Sequence, residues 1–208
     1  MSYYFSIYRR PKQGNFIKVR DAAIASRNQM PNRGFVTQTI SNPAATQNSN
    51  MIVSTTIFES AADMDKVLDY SDSNDEITKR IEAVDTLCET SGSVVGHILQ
   101  PATPPEGFSP KICVRDMVVA GDGNLASLIE VLSDFAQEDW GVPKAVSISV
   151  PLGAMNSNQV RATGFFESMA DFEIARGNMV QSSLVPKIID LRAAPHTRIV
   201  SRILSFTR

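Results

Sequence analysis

The sequence predicts an α+β fold made of two tandem ferredoxin-like (βαββαβ) repeats, and three observations lead there. Asn48-Ser49-Asn50 recurs as Asn156-Ser157-Asn158, and Phe58-Glu59-Ser60-x-Ala62-Asp63 as Phe166-Glu167-Ser168-x-Ala170-Asp171, each 108 positions later. Across the 18-residue blocks 48–65 and 156–173, nine positions are identical, where composition alone would give about one. Each half also reads strand, helix, strand, strand, helix, strand from its hydrophobic periodicity. A repeat this long, present twice, is a duplicated domain and not a solenoid.

The elements follow in order. Tyr3–Arg10 alternates as a strand. Asn15 is placed to cap a helix whose apolar residues Phe16, Val19, Ala23 and Ile24 fall near helical spacing. Residues 34–41 and 51–58 form a strand pair, joined by a polar loop that ends in Asn-Ser-Asn. Ser60 caps the next helix, with Asp63 in the first turn, where the helix dipole favours a carboxylate. That helix breaks near residues 71–74 and resumes with Ile77, Ile81, Val84 and Leu87, and residues 93–100 supply a fourth strand. In the second half, residues 112–119 are the first strand, and the first-half offset of 108 is taken to pair the two first strands. Asn124 pairs with Asn15 after a one-residue gap, opening a helix with the stripe Leu125, Leu128, Ile129, Leu132 and Phe135. Residues 145–150 and 160–166 form the second pair, Ser168 caps the second helix, and residues 197–206 close the half. Residues 101–110 hold four prolines and read as a linker, giving repeats at 1–100 and 111–208.

Composition narrows the function classes. The 208 residues carry 20 basic and 22 acidic side chains, for a net charge of −2, so there is no basic field of the kind that captures nucleic acid. No window approaches the roughly 18 apolar residues of a membrane span, and the N-terminus lacks the order of a secretory signal. Cys88 and Cys113 share no ligand-like spacing and are expected to be reduced, buried thiols. A cytoplasmic protein without membrane or nucleic-acid partners is expected.

The helix starts Phe58-Glu59-Ser60-Ala61-Ala62-Asp63 and Phe166-Glu167-Ser168-Met169-Ala170-Asp171 each follow a strand pair. In this the chain resembles the dimeric α/β-barrel superfamily, which includes antibiotic-biosynthesis-type monooxygenases, NIPSNAP and EthD-like proteins, and haem-degrading enzymes. The resemblance implies that the two halves pack their sheets face to face as an intramolecular pseudo-dimer. Any pocket would then lie inside the barrel or between a sheet and its helices. It also implies that a lone chain suffices, while exposed edge strands leave further homodimer pairing open. A haem site would need a helix histidine facing the cavity; His97 and His196 both fall on or beside strands, so no cofactor is expected.

Strand alternation then assigns faces. Ile112, Val114 and Val118, with Val160, Ala162 and Gly164, form one apolar face, and Val94, Gly96, Ile98, Ile199, Ser201 and Ile203 are placed on it too. Asp116 is its exception. The opposite face carries Arg115, Arg161 and Arg202, with Ile7, Val53 and His97 as first-half counterparts. Three converging guanidiniums would repel one another unless an anion or nearby carboxylates compensated them. The expected ligand-binding set is therefore Arg115, Arg161, Arg202 and Tyr8, with His97 as the candidate catalytic base. A shift of phase would instead put the arginines on a solvated face.

Other motifs point to structure. Gly121-Asp122-Gly123-Asn124-Leu125-Ala126 matches a dinucleotide fingerprint, but the strand that follows leads into a hairpin, so a tight turn is the better account. Neither histidine has the context of a nucleophile elbow, and His196 after Pro195 reads as an exposed loop residue. Asp69, Asp72, Asp75 and Glu76 lack the glycine and terminal glutamate of a calcium loop, and no metal is expected. Tyr3, Tyr4, Phe5 and Tyr8 read as strand core, and Trp140 as packing. The expected function is binding of a small molecule, anions included, in an interior or inter-repeat pocket. One alternative is a cofactor-independent monooxygenase or isomerase, with His97 as base and the arginines holding an enolate. The other is a structural or interaction module whose barrel is filled by side chains.

Overall fold

The structure, a computed structural model, describes residues 1–41, 50–153 and 157–207. The first repeat contains β1 (Ser2–Pro11), α1 (Phe16–Gln29), β2 (Gly34–Ser41), β3 (Ile52–Phe58), α2 (Ala61–Asp72), α3 (Asp75–Asp85) and β4 (Cys88–Gln100). The second contains β5 (Ile112–Val119), α4 (Leu125–Gln137), β6 (Lys144–Pro151), β7 (Gln159–Phe166), α5 (Met169–Met179), α6 (Leu184–Leu191) and β8 (Thr197–Thr207). Most of the polar loop before Asn50, and Asn156 of its repeat, lie outside the described residues.

The eight strands close into one antiparallel barrel in the order β1-β3-β2-β8-β5-β7-β6-β4. Within each repeat this is the ferredoxin-like order 4-1-3-2, and the repeats join edge to edge through β2–β8 and β4–β6. The duplicated sequence thus removes its own sheet edges, which open sheets must otherwise protect. Helices cover the outside. α4 buries Leu128, Leu132 and Ala136, and α1 buries Val19, Ala23 and Arg27, each set spaced four residues apart on one face. Among the described residues, no helix is long and apolar enough to cross a membrane.

Local signals decide the helix starts unequally. The Ser60 and Ser168 hydroxyls accept from the backbone N–H of Asp63 and Asp171, both at 3.1 Å, and donate to the carboxylates of the same residues at 2.8 Å. Asn15 and Asn124 stand at the N-cap positions but make no side-chain cap bond. Their φ values of −102° and −95° with ψ near zero hold the backbone outside the extended region that capping requires. The second helical region of the second repeat is split, like that of the first, into α5 and α6.

The register corrects two expectations. Thr55 and Thr163 are equivalent, and Thr55 opposes Ser6 while Thr163 opposes Arg115. The first strands are therefore related by 109 residues, the offset of Asn15 and Asn124, so Arg115 matches Ser6 and not Ile7. A one-residue slip exchanges the two faces of a strand. In the fourth strands the faces are the reverse of those that alternation suggests. Gly96 opposes Tyr4 and Ser201 opposes Cys113, all inside the barrel, while Arg202 opposes Ile112 on the helix side. Small residues such as Gly96 and Ser201 fit either face by pattern. Here neighbours decide: a Cβ at Gly96 would run into the Tyr4 ring.

Candidate functional site

Inside the barrel, Arg115 and Arg161 are 2% and 7% exposed. Arg115 Nη2 donates to Thr37 Oγ1 at 3.2 Å, and its guanidinium lies 5.6 Å from the Phe35 ring centroid. Arg161 stacks on Tyr4, 3.7 Å from the ring centroid, and Nη1 donates to the Tyr8 hydroxyl at 3.3 Å. The structure thus brings Arg115, Arg161 and Tyr8 to one interior. It leaves out Arg202, which is exposed on the outer face. It also leaves out His97, which stacks on Tyr3 outside the barrel at a centroid distance of 5.3 Å. Tyr8 and His97 lie on opposite faces of the sheet, so the combination of a His97 base with arginines holding an enolate is not assembled.

A second site lies outside the barrel, between the sheet of the second repeat and helices α4, α5 and α6. The cavity of about 260 Å³ has apolar walls that include Leu132, Phe135, Trp140, Phe172, Met179 and Ile188. Its origin can be read from the duplication. In the first repeat, Arg27 on α1 is 1% exposed and donates from Nη1 to Thr56 Oγ1 at 2.8 Å, and from Nη2 to the carbonyls of Met30 and Asn32. The equivalent residues of the second repeat are Ala136, by the helix offset, and Gly164, by the hairpin offset. Both line the cavity. Replacing a guanidinium and a threonine by a methyl and a hydrogen leaves open in one repeat the space that Arg27 fills in the other.

One side of this cavity is polar. Asp116, the single acid on the outer face of β5, takes a bidentate pair from Arg198, Nε to Oδ1 at 2.7 Å and Nη2 to Oδ2 at 2.8 Å. His196 Nε2 stands 3.7 Å from Asp116 Oδ1, and its Nδ1 is 3.3 Å from Arg192 Nη1. Burial pushes the His196 imidazole below its usual pKa; Asp116 opposes this, and Arg198 and Arg192 add to it. Burial would also lower the Arg198 pKa, but the hydrogen bonds and charge of Asp116 outweigh it and leave it raised. In the neutral imidazole Nδ1 accepts from Arg192 and Nε2–H turns toward Asp116, so a molecule in the cavity can give it a proton only by taking the place of Arg192 at Nδ1. Sequence reading misses this trio because His196 comes before its strand and Asp116 sits 80 residues away. The available signal was Asp116 itself, an acid on an otherwise apolar face.

The remaining motifs resolve as structure. Gly123, with φ of 78°, turns the chain into α4, and the Asn124 side chain folds back toward Gly121. Asp75 and Glu76 occupy the first turn of α3 under an Asn74 cap. Among the described residues, no three His, Cys, Asp or Glu side chains are grouped to hold a metal. Trp140 is buried in the cavity wall beside Phe135, with the Lys144 ammonium 4.2 Å from its ring centroid. Cys88 and Cys113 are both free and buried. None of α4, α5 and α6 carries a histidine that could ligate haem in the sheet–helix cavity.

No family model matches the chain, and no curated protein matches it in sequence. Solved structures do match in shape. A candidate monooxygenase from Fusobacterium nucleatum superposes with a TM-score of 0.75 at 9% identity, over 100% of this chain and 94% of that one. An anthrone oxidase-like protein gives 0.67 at 8% identity, over 99% and 92% of the two chains. A mutant chlorite dismutase from Candidatus Nitrospira defluvii gives 0.56 at 9% identity, over 98% and 92%. Identities this low speak for the fold and not for the chemistry. The chain has the dimeric α/β-barrel fold, with both halves of the barrel supplied by one polypeptide.

Proposed function

We propose that this chain binds a flat, largely apolar molecule with an acidic ketone or hydroxyl group in the sheet–helix cavity of the second repeat. His196 is the group that takes the acidic proton. The carrying observation is the asymmetry between repeats: the space Arg27 fills in one is an apolar cavity of about 260 Å³ in the other, with Asp116, His196 and Arg198 gathered on one side. An apolar pocket with a few convergent polar groups and one perturbed titratable residue has the character of a ligand site. A filled, purely structural fold gives no reason for Ala136 and Gly164 to stand where the sister repeat has Arg27 and Thr56.

A catalytic role draws on the neutral state of His196 and on neighbours that include a candidate monooxygenase and an anthrone oxidase-like protein. Removal of a proton from an aryl ketone such as anthrone gives an electron-rich enolate that dioxygen can oxidise. The balanced reaction is anthrone plus dioxygen to anthraquinone plus water. Trp140, the sole tryptophan, lies in the cavity wall and reports binding directly. Anthrone is expected to quench its fluorescence saturably, and Ala136→Leu to abolish the quenching without loss of fold. His196→Gln is expected to bind anthrone but to lower the rate of anthraquinone formation by about 10²-fold or more. Unchanged Trp140 emission would overturn the site. Binding with no turnover in the wild-type protein would leave a binding protein without this chemistry.

A further inference from the structure

The barrel interior holds a second chamber, separate from the proposed site and about 180 Å³ in volume. Its mouth is bordered by the linker residues Pro101, Ala102, Pro104 and Phe108, and Phe35, Phe165 and Phe206 give it an aromatic wall. These three rings lie within 5.2–6.3 Å of one another, centroid to centroid. Its polar part includes Arg161, Tyr4, Thr163 and Ser149. Arg161 Nε and the Thr163 hydroxyl are buried without a hydrogen-bond partner, and both belong to residues of this one chamber, where the Tyr4 hydroxyl turns to Ser149. Unpaired buried donors are costly and ask for a partner.

The charge asks for the same thing. Arg115 and Arg161 make no ion pair among the described residues, and no acidic side chain is among those that line the chamber. Both guanidiniums act on the same two groups, Tyr4 and Cys113, each of whose pKa burial raises and the arginines pull back. Arg161 lines the chamber and Arg115 lies beyond its lining, while the other cation of the lining, Arg33, is already paired with Glu59. Tyr8 occupies the Nη1 side of Arg161, which leaves the Nε edge, the edge that meets a carboxylate in a two-pronged bond, without a partner.

We infer that this chamber is a second ligand site, for a small aromatic carboxylate whose anion meets Arg161 and whose ring lies among Phe35, Phe165 and Phe206. A carboxylate supplies one negative charge where the protein supplies none, and a flat apolar body suits the aromatic end of the chamber. The site is independent of His196 and of the outer cavity.

Benzoate and its neutral isostere benzamide are the probes, titrated into the full chain and followed by calorimetry and thermal shift. Saturable benzoate binding is expected. Arg161→Met should weaken it about tenfold or more, the loss of one charged hydrogen-bond pair. Benzamide should bind correspondingly worse. Ala136→Leu, which closes the outer cavity, should leave benzoate binding unchanged, so the two sites fail separately. In wild-type protein the Arg161 Nε–H resonance should move along the same titration curve, a readout that needs no variant to fold. No binding of benzoate, equal binding of benzamide, or loss in Ala136→Leu with retention in Arg161→Met would each overturn the inference.

Discussion

His196 shows how a single side chain acquires a property its type does not guarantee. Burial holds its pKa below the ordinary histidine value, with Arg198 and Arg192 reinforcing and Asp116 resisting. The folded protein therefore binds this proton less readily than the unfolded chain does. The stability it carries is full above the unfolded pKa of about 6.5 and is lost as pH falls through the depressed folded value. Between about pH 7.5 and about pH 5.5, the urea midpoint of the wild-type protein should fall more than that of His196→Gln. Parallel profiles would show that the imidazole is no more buried in the fold than in the unfolded chain. Arg27 makes the complementary point: burial lowers its pKa too, but one hydroxyl and two carbonyls surround its fork, so it serves as packing.

Among the elements, the helix starts give the sharpest contrast between pattern and geometry. Ser60 and Ser168 each close a reciprocal cap, and alanine at either position should cost about 1 kcal/mol in urea unfolding. Asn15 and Asn124 look like caps in sequence but make no such bond, so alanine there should cost only a few tenths of a kcal/mol, roughly the scale of ordinary surface changes. Equal losses at all four positions would contradict this division. The strands show the same limit. β1, β3, β5 and β7 sit in the middle of their four-stranded sheets, and alternation assigned the faces of β5 and β7 correctly. β4 and β8 each join a neighbour of the other repeat as well as one of their own, with bulges between Ile98 and Gln100 and in the β2–β8 ladder. Alternation itself holds over residues 92–98 and 197–202, and the error is in which face is inward, which small residues on both faces leave open.

For the whole molecule, closure is the governing feature. Either half alone would present two open edges, β2 and β4 in the first and β6 and β8 in the second, together with an uncovered inner face. Separate co-expression of residues 1–104 and 105–208 should therefore yield a one-to-one complex on size exclusion, and each half alone should aggregate or self-pair. Two independently soluble monomeric halves would show that the interior contributes little to cohesion. The interior is also where polar groups accumulate, among them Ser6, Thr37, Thr55, Arg115, Ser149, Arg161, Thr163 and Ser201. The barrel is thus not an apolar core, and its arginines are held by rings and hydroxyls instead of acids.

The duplication, the order of elements, the serine caps and the inward face of Arg115 and Arg161 were legible in the sequence, whereas the inward turn of Tyr8 was not, since the repeat offset had put Ile7 there. The legible features depend on contacts near in sequence or on periodicities that a buried face imposes over several residues. Only the tertiary structure decided that His97 and Arg202 face outward, that Asp116, His196 and Arg198 meet, and that one repeat has a cavity where the other has Arg27. Each of these depends on which strand or helix lies opposite, set by a register that leaves no mark in local composition. The cavity came nearest to being legible. Aligning the halves by the 109-residue offset of Asn15 and Asn124 places Ala136 against Arg27, and the 108-residue hairpin offset places Gly164 against Thr56. What those exchanges leave empty is a volume, and a volume exists only once the helix lies on its sheet.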